Sequence, residues 1–452
     1  MSEKPTLSGI ISDVAVLKKR RNDIPRWQHG HLVAAFNYLT CYEPINDTNL
    51  EKVQNLLGAF HQLCDAEAWE LASTIILRSL PELQNQNLSS ILMDWSYYQE
   101  IIRKNEIILN NIPSKTNAAS SNRFIGNAYY FLGKYSQAID YFQKSLMIAS
   151  EINDRKITGT IFLCLGNTYD ALGNYEKALE YHRQGLAISR EIGERELEGD
   201  ILVNLGSLYI AISNYEQATR YLQECLVIAA EINSRKLEVS CLGNLGVISN
   251  ILARNEEAIN YFQQVLTIAN EMGYRLIARG ALNGLGSAYS DLENYPESIK
   301  YHQQALEIAR EIGDRRGEAI TLGNLAGTLS DSGNHLEGLE LKTQKLNICI
   351  EIGDRYGEGY ALLNLGHGLI NLNRYSEALN HLEASLKIFT EIDSLDNKAS
   401  ALKALAYLNQ QTGQINLALE FCEQALTIFI DLGISMLAEE CQKMKEELLS
   451  AT

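Results

Sequence analysis

Proline is scarce in this chain and unevenly placed. Of six in 452 residues, five (Pro5, Pro25, Pro44, Pro81 and Pro113) precede residue 118. Pro296 alone lies beyond, in Asn294-Tyr295-Pro296-Glu297, where the first turn of a helix tolerates the missing N–H. The last three quarters of the chain are therefore free to be helical throughout. The eight cysteines (Cys41, Cys64, Cys164, Cys225, Cys241, Cys349, Cys422 and Cys441) are scattered singly, with no Cys-x-x-Cys pair. With a polar start from Met1 to Ile10, such thiols read as reduced and the chain as cytoplasmic. Clustered Lys and Arg are missing from residues 118–442, and the formal net charge is −17. That balance excludes phosphate-dominated binding to nucleic acid and favours basic or neutral partners. No apolar run reaches bilayer length, so no membrane insertion is expected.

What is present is a period. From about Ala118 to Gln442 one pattern recurs eight times at a spacing of 40, without insertion or deletion: Ile125-Gly126, Leu165-Gly166, Leu205-Gly206, Leu245-Gly246, Leu285-Gly286, Leu325-Ala326, Leu365-Gly366, Leu405-Ala406. A fixed period of this size marks a stacked array, in which each unit buries its apolar face only against its neighbours. In the third copy Leu202, Leu205, Gly206, Tyr209 and Ile212 lie on one face of a helix. Ser213-Asn214 breaks the pattern, and Tyr215, Ala218, Leu222, Cys225, Leu226 and Ala229 restart it on a second helix. Each unit is thus expected to be a helical hairpin. The glycine column, and the small column of Ala138, Ala178, Ala218, Ala258, Ser298, Gly338, Ala378 and Ala418, let the two helices approach, with tyrosines at 129, 169, 209 and 289 and at 135, 175, 215, 295 and 375 filling the spaces between. Junctions such as Glu311-Ile312-Gly313-Asp314-Arg315 pair a left-handed stop with a capping start, and Asn153 and Asn233 can replace the glycine.

The order of small, aromatic and alanine positions resembles the tetratricopeptide repeat, most closely in Leu165-Gly166-Asn167-Thr168-Tyr169 through Leu172-Gly173-Asn174-Tyr175-Glu176-Lys177-Ala178. That family's usual unit is shorter, about 34 residues, and ends near a proline. Here the second helix runs on and ends in Gly-Asp-Arg, which looks most like the repeats of Pins/LGN-type adaptors and of multi-repeat bacterial, especially cyanobacterial, proteins. The resemblance implies an all-α, right-handed solenoid of about eight stacked hairpins and, at the level of function, protein binding. The expected organisation is a helical N-terminal region of worn repeats or cap over 1–117, eight repeats over 118–442, and a C-terminal tail over 443–452.

If Leu202, Leu205, Gly206 and Tyr209 face inward, positions 200, 204, 207 and 211 lie on the opposite side of the same helix. The 204 column reads Phe124, Cys164, Asn204, Asn244, Gly284, Asn324, Asn364, Ala404, and the 207 column includes Asn127, Asn167, Val247, His367 and Tyr407. The 211 column adds Phe131, Ile251, Asp291 and Asp331. In the family this side lines the concave surface, and the column of Asn204 matches asparagines that hold ligand main chain. An asparagine amide both donates and accepts, so a ladder of them suits an extended backbone whatever its side chains. Phe124, Phe131, Val247, Ile251 and Tyr407 are the expected apolar anchors, and Asp291 and Asp331 favour a basic group on the partner. The arginine column (Arg155, Arg195, Arg235, Arg275, Arg315, Arg355) reads as inter-repeat ion pairs with the glutamates near it.

Residues 1–117 break the strict period but keep Trp69-Glu70-Leu71-Ala72 in the register of Tyr135-Ser136-Gln137-Ala138, as a capping unit would. The run Lys18-Lys19-Arg20-Arg21 reads as the solvated end of an amphipathic stretch. Gly133-Lys134-Tyr135-Ser136 lacks the spacing of a phosphate loop, and His29-Gly30-His31 with His61 lacks a completing ligand for a metal. Nothing nominates a nucleophile or general base, and no cofactor is expected. The expected function is a non-catalytic adaptor that holds a protein or peptide segment; the alternative is a regulator whose array changes shape when a peptide binds.

Overall fold

The turns set the architecture. In the computed structural model every junction of the repeat carries one residue in the left-handed region, at intervals of 20 residues from Gly133 to Gly433. Twelve of these sixteen are filled by glycine or asparagine at φ 53–91°, including Asn153, Asn233, Gly193 and Gly353, while Ser213, Ala253, Glu293 and Asp393 adopt the same conformation without that help. The carboxylates of Asp154, Asp314 and Asp354 then cap the next helix, accepting from Ile157 N, Gly317 N and Gly357 N at 2.8–2.9 Å. Stop and start signals on adjacent residues leave no room for a loop.

The structure describes residues 7–19, 24–40, 49–78, 87–94 and 96–450. Arg20 and Arg21 of the basic run, Trp95, Cys41, Pro5, Pro44 and Pro81 lie outside them. Among the described residues every regular element is an α-helix, and no helix is long and apolar enough to cross a membrane. The chain divides into two compact units at Leu237 and Glu238, within one helix, not at the boundary of 117 and 118 that the repeats suggest.

In the first unit α1 (Leu7–Lys19), α2 (Arg26–Thr40), α3 (Asn49–Asp65), α4 (Trp69–Leu77), α5 (Leu88–Asp94) and α6 (Tyr98–Asn111) lead into three hairpins. These are α7 (Lys115–Phe131) with α8 (Tyr135–Glu151), α9 (Arg155–Ala171) with α10 (Tyr175–Ile192), and α11 (Arg195–Ala211) with α12 (Tyr215–Glu231). One apolar cluster runs from Val14 and Leu39 through Phe60 and Ile101 to Phe124 and Ile125, so the N-terminal helices share a core with the first hairpin. The helix α4 begins at Trp69 and buries Ala72 as α8 begins at Tyr135 and buries Ala138, and Pro113 falls between α6 and α7. The helix α13 (Arg235–Ile251) carries the division. The second unit continues with α14 (Asn255–Met272) and the hairpins α15 (Arg275–Asp291) with α16 (Tyr295–Glu311), α17 (Arg315–Asp331) with α18 (His335–Ile352), α19 (Arg355–Asn371) with α20 (Tyr375–Glu391), and α21 (Leu395–Gln411) with α22 (Ile415–Asp431). Pro296 stands in the first turn of α16. A last helix, α23 (Ser435–Ser450), runs through the segment expected to be a tail, because Ala438, Cys441 and Leu448 are buried against the hairpin before it.

The glycine column has a specific occupant. A Cβ on Gly126, Gly166, Gly206, Gly246, Gly286 or Gly366 would meet the side chain of Phe142, His182, Leu222, Phe262, His302 or Leu382, each 16 residues on and each lying across the glycine from the second helix. The two exceptions fit: Ala326 stands where the covering residue is Lys342, and Ala406 where it is the smaller Cys422. The tyrosines at 129, 169, 209 and 289 stack on Tyr141, Tyr181, Tyr221 and Tyr301, with ring centres 5.4–5.5 Å apart. These second-helix tyrosines complete four of the eight hairpins.

The arginine column pairs as expected with glutamates, but inside hairpins rather than between them. Arg155, Arg195, Arg275, Arg315 and Arg355 open first helices and meet Glu191, Glu231, Glu311, Glu351 and Glu391 at the ends of their own second helices. The bridges between hairpins are other groups: the nearly buried carboxylates of Glu198 and Glu318 each take two guanidiniums, Arg190 with Arg195 and Arg310 with Arg315. Exposed pairs contribute little, whereas enclosed carboxylates with two cationic partners hold their geometry. Glu198→Ala is therefore expected to lower the urea midpoint of unfolding more than Glu191→Ala; equal shifts would remove this distinction.

Candidate partner-binding face

Along each first helix burial repeats in one order. In α11, residues 201, 202, 205, 206, 208 and 209 are buried, while Asp200, Val203, Asn204, Ser207 and Ile210 are half-buried and Ala211 is exposed. The stripe of 204, 207 and 211 is half-buried or exposed in every copy except at Phe124 and Ala404, which are buried.

In the first unit this stripe holds half-buried Asn127, Asn167 and Asn204. Among the described residues the structure shows no side-chain hydrogen bond from these three amides. Phe131 is 55% exposed, but its ring stacks on Tyr98 of α6 at 5.5 Å and 4° and meets Tyr130 edge-on, so one face serves the junction with the N-terminal helices. Phe124 is not an anchor: it is 3% exposed, sits in the cluster joining α7 to those helices, and has the Arg123 guanidinium 4.2 Å from its ring centre. The thiol of Cys164, at the equivalent position in α9, is pushed up to about 11 by burial.

In the second unit the stripe holds half-buried Asn244 and Asn364 and exposed Asn324. The amides of Asn324 and Asn364 likewise make no side-chain hydrogen bond among the described residues. Val247, Ile251 and Tyr407 are 41%, 49% and 39% exposed on α13 and α21. The gap at Gly284 has a steric cause, since a Cβ there would lie 2.5 Å from the Phe262 ring, and Asn250 Nδ2 of α13 instead donates to Gly284 O at 3.3 Å. Neighbouring first helices are tied in the same way by Asn283 Nδ2 to Thr321 Oγ1 at 2.8 Å and Thr328 Oγ1 to Ser290 Oγ at 3.3 Å. The structural asparagines are therefore a different set from the open ones.

Asp291 and Asp331 end α15 and α17, both exposed. Partial burial, and then the neighbouring Asp331, hold the Asp291 carboxyl above its ordinary range, as two like charges at one site do. Asp331 also shares its surroundings with Lys342 of α18, whose ammonium is lowered by burial and partly restored by that carboxylate. Lys342 and its neighbour Lys345 lie on the second helix, outside the first-helix stripe that the sequence marks as open. The signal was present in the second helix, where lysine replaces the residues that cover the core in the other copies. The chemistry-bearing residues of the first unit are engaged locally: His31 Nδ1 meets Gln62 Oε1 at 2.9 Å, and His61 Nε2 meets Lys104 Nζ at 3.1 Å.

A family model for the tetratricopeptide repeat matches residues 117–191, 197–271, 277–351 and 357–431, two hairpins at a time and over more than half of the chain. No curated protein matches. Among solved structures, a STAND signal-transduction ATPase with a tetratricopeptide repeat sensor from Pyrococcus horikoshii is 14% identical, with a TM-score of 0.53 over 98% of this chain and 75% of that one. A Rap protein complexed with Competence and Sporulation Factor is 16% identical, with a TM-score of 0.51 over 76% of this chain and 99% of that one. The apo quorum sensor NprR from B. thuringiensis is 13% identical, with a TM-score of 0.52 over 76% and 100%. At such identities the likeness is one of fold. The matched family model and the eight hairpins in register place this chain in the tetratricopeptide repeat family.

Proposed function

We propose that the protein is a non-catalytic interaction scaffold that holds a peptide or protein segment on the open stripe of its first helices. The observation that carries this reading is, in each unit by itself, a set of amides that face out of the packing with no side-chain hydrogen bond among the described residues: Asn127, Asn167 and Asn204 in the first, Asn324 and Asn364 in the second. Each can donate and accept along an extended backbone, and each such bond contributes about 0.5–1.5 kcal/mol net. Val247, Ile251 and Tyr407 supply the apolar area that amides alone lack, and Asp291 with Asp331 a place for a basic group.

Peptides selected from a display library against the whole chain provide the probe. Asn324→Ala with Asn364→Ala should weaken them roughly 5- to 100-fold with no loss of thermal stability, since alanine is the better helix former. Undiminished binding by the variant would end the reading. A ligand-responsive regulator is the second reading, prompted by relatives described as a sensor and a quorum sensor. It uses the same stripe and differs in outcome: small-angle scattering would show contraction on adding the peptide, whereas a scaffold keeps its dimensions.

A further inference from the structure

The residue that covers a glycine has a second neighbour, 19 residues on, in the helix that follows. Phe142 shares a core cluster with Ile161, and Leu382 with Ala401. In the last copy, and in no other, both positions are cysteine: Cys422 of α22 and Cys441 of α23. Both thiols are free, fully buried, and in one cluster with Ala418, Phe429 and Leu448. Cys422 Sγ donates to Cys441 O at 3.1 Å, so the first sulfur already rests on the backbone that carries the second. An isolated buried cysteine is an apolar filler, whereas two side by side can be joined.

The pair is not symmetric. The Cys441 thiol, as a hydrogen-bond partner, holds Cys422 below the ordinary thiol range; burial and Glu423 oppose this, and Lys445 and Lys403 reinforce it. Cys441 is pushed up by the same hydrogen bond and by burial. Elsewhere burial pushes Cys64 and Cys164 up to about 12 and about 11, and Cys349 up as well. The two lysines are held by ion pairs that cross between helices, Lys445 of α23 to Glu423 of α22 at 2.8 Å and Lys403 of α21 to Glu440 of α23. The thiolate is the nucleophilic form, and cationic neighbours favour it. The helix α23 packs inward through Ala438, Cys441 and Leu448 and leaves Glu439, Gln442, Lys443 and Glu446 exposed, so lifting this one helix uncovers both sulfurs.

We propose that Cys422 and Cys441 form an oxidation site, closed to a disulfide by hydrogen peroxide, that locks α23 onto α22. The Cys422 thiolate attacks one peroxide oxygen and breaks the O–O bond. Its sulfur becomes a sulfenic acid, and the other oxygen leaves as hydroxide and takes a proton to form water. The Cys441 sulfur then attacks the Cys422 sulfur, forming the S–S bond and releasing the sulfenic oxygen with the Cys441 proton as a second water. Two thiols give up two electrons in all, and one peroxide is reduced to two waters. A thiol reductant reverses the bond by exchange. The link closes a short loop between α22 and α23, which restricts the state in which α23 is lifted. The site is independent of what binds the stripe of first helices.

The test uses the full reduced chain, treated with hydrogen peroxide under native conditions, alkylated and mapped by mass spectrometry. Met436 of the same helix, 68% exposed, is an internal clock, because peroxide converts an exposed methionine to its sulfoxide. By the time Met436 is converted, the peptides carrying Cys422 and Cys441 should be joined with the loss of two hydrogens, and dithiothreitol should separate them. Amide exchange across α23 should then slow about 10-fold or more. Cys441→Ala, the residue type at Ala361 and Ala401, removes the second thiol and should leave Cys422 as a sulfenic acid that dimedone captures. Both thiols still open to alkylation at that point, or Cys422 carried to sulfinic acid with no link to Cys441, would overturn the proposal. Failure of dimedone capture in Cys441→Ala, or a linked chain whose α23 exchanges as fast as before, overturns it equally.

Discussion

Gly366→Val is expected to destabilise the second unit by about 1–3 kcal/mol, the cost of forcing extra volume into a filled core. A Cβ at Gly366 would lie 2.5 Å from Leu382 Cγ, and Leu382 is fully buried, so neither atom can withdraw into solvent. Helix propensity acts in the opposite direction, since valine is the better helix former by a few tenths of a kcal/mol, so a loss of stability isolates the packing. Leu382→Ala alone should cost about 2–5 kcal/mol, and the pair should cost clearly less than the two added, because the new side chain enters the space the leucine leaves. Urea unfolding of the four proteins measures this coupling. Simple additivity would mean that the glycine column does not exist for the side chain that covers it.

Acidification should weaken both units through two histidines that sit in that same covering position. Burial lowers His182 and His302 from 6.5 to about 4. Above pH 6.5 both are neutral whether folded or not, and their contribution is complete. As pH falls from 6.5 towards 4 the unfolded chain takes up protons that the folded chain refuses, and stability is lost over that window by on the order of 3 kcal/mol for each histidine. Burial also lowers His61, His367 and His381, which adds to the effect with the same sign. His182 Nδ1 is buried without a partner, whereas His302 Nδ1 lies 3.0 Å from Asn283 Oδ1. His182→Leu, the residue at Leu222 and Leu382, should therefore flatten the fall of the urea midpoint between pH 7 and pH 4 without loss at pH 7. His302→Leu should flatten it too but cost about 1–3 kcal/mol at pH 7, because it strands the Asn283 oxygen. A midpoint independent of pH over that range in the native chain would contradict the burial of both rings.

The hairpins were legible because their determinants are local and repeat: a left-handed residue every 20 positions, a cap after it, and apolar residues at helical spacing. What covers what was less legible. The glycines could be read as close approach, but the partner at each, from Phe142 to Leu382, is fixed by the offset between two helices, which a single helix's periodicity does not contain. Phe124 looked like its open neighbours in column and turned out buried, because the N-terminal helices close over the first hairpin and their own pattern is too worn to reveal it. The segment after 442 looked like a tail because the 40-residue pattern stops there, yet a stack's last hairpin needs a cover, and α23 supplies it. At the candidate face the asparagine column was visible, while the split between asparagines that tie helices together, such as Asn250 and Asn283, and those left open, such as Asn324, depended on distances. Lys342 and Lys345 stand in second-helix columns that hold no lysine, arginine or carboxylate in the other copies.

The central claim is that the open asparagines are free for a partner. The side-chain amide signals of Asn324 and Asn364, followed by nuclear magnetic resonance while a selected peptide is added, test it most directly. The account predicts that both move with the same saturation curve, while Asn105 and Asn409, buried and bonded to the Ile101 and Leu405 carbonyls, stay in place. Saturation of the protein with the Asn324 and Asn364 signals unmoved would contradict it.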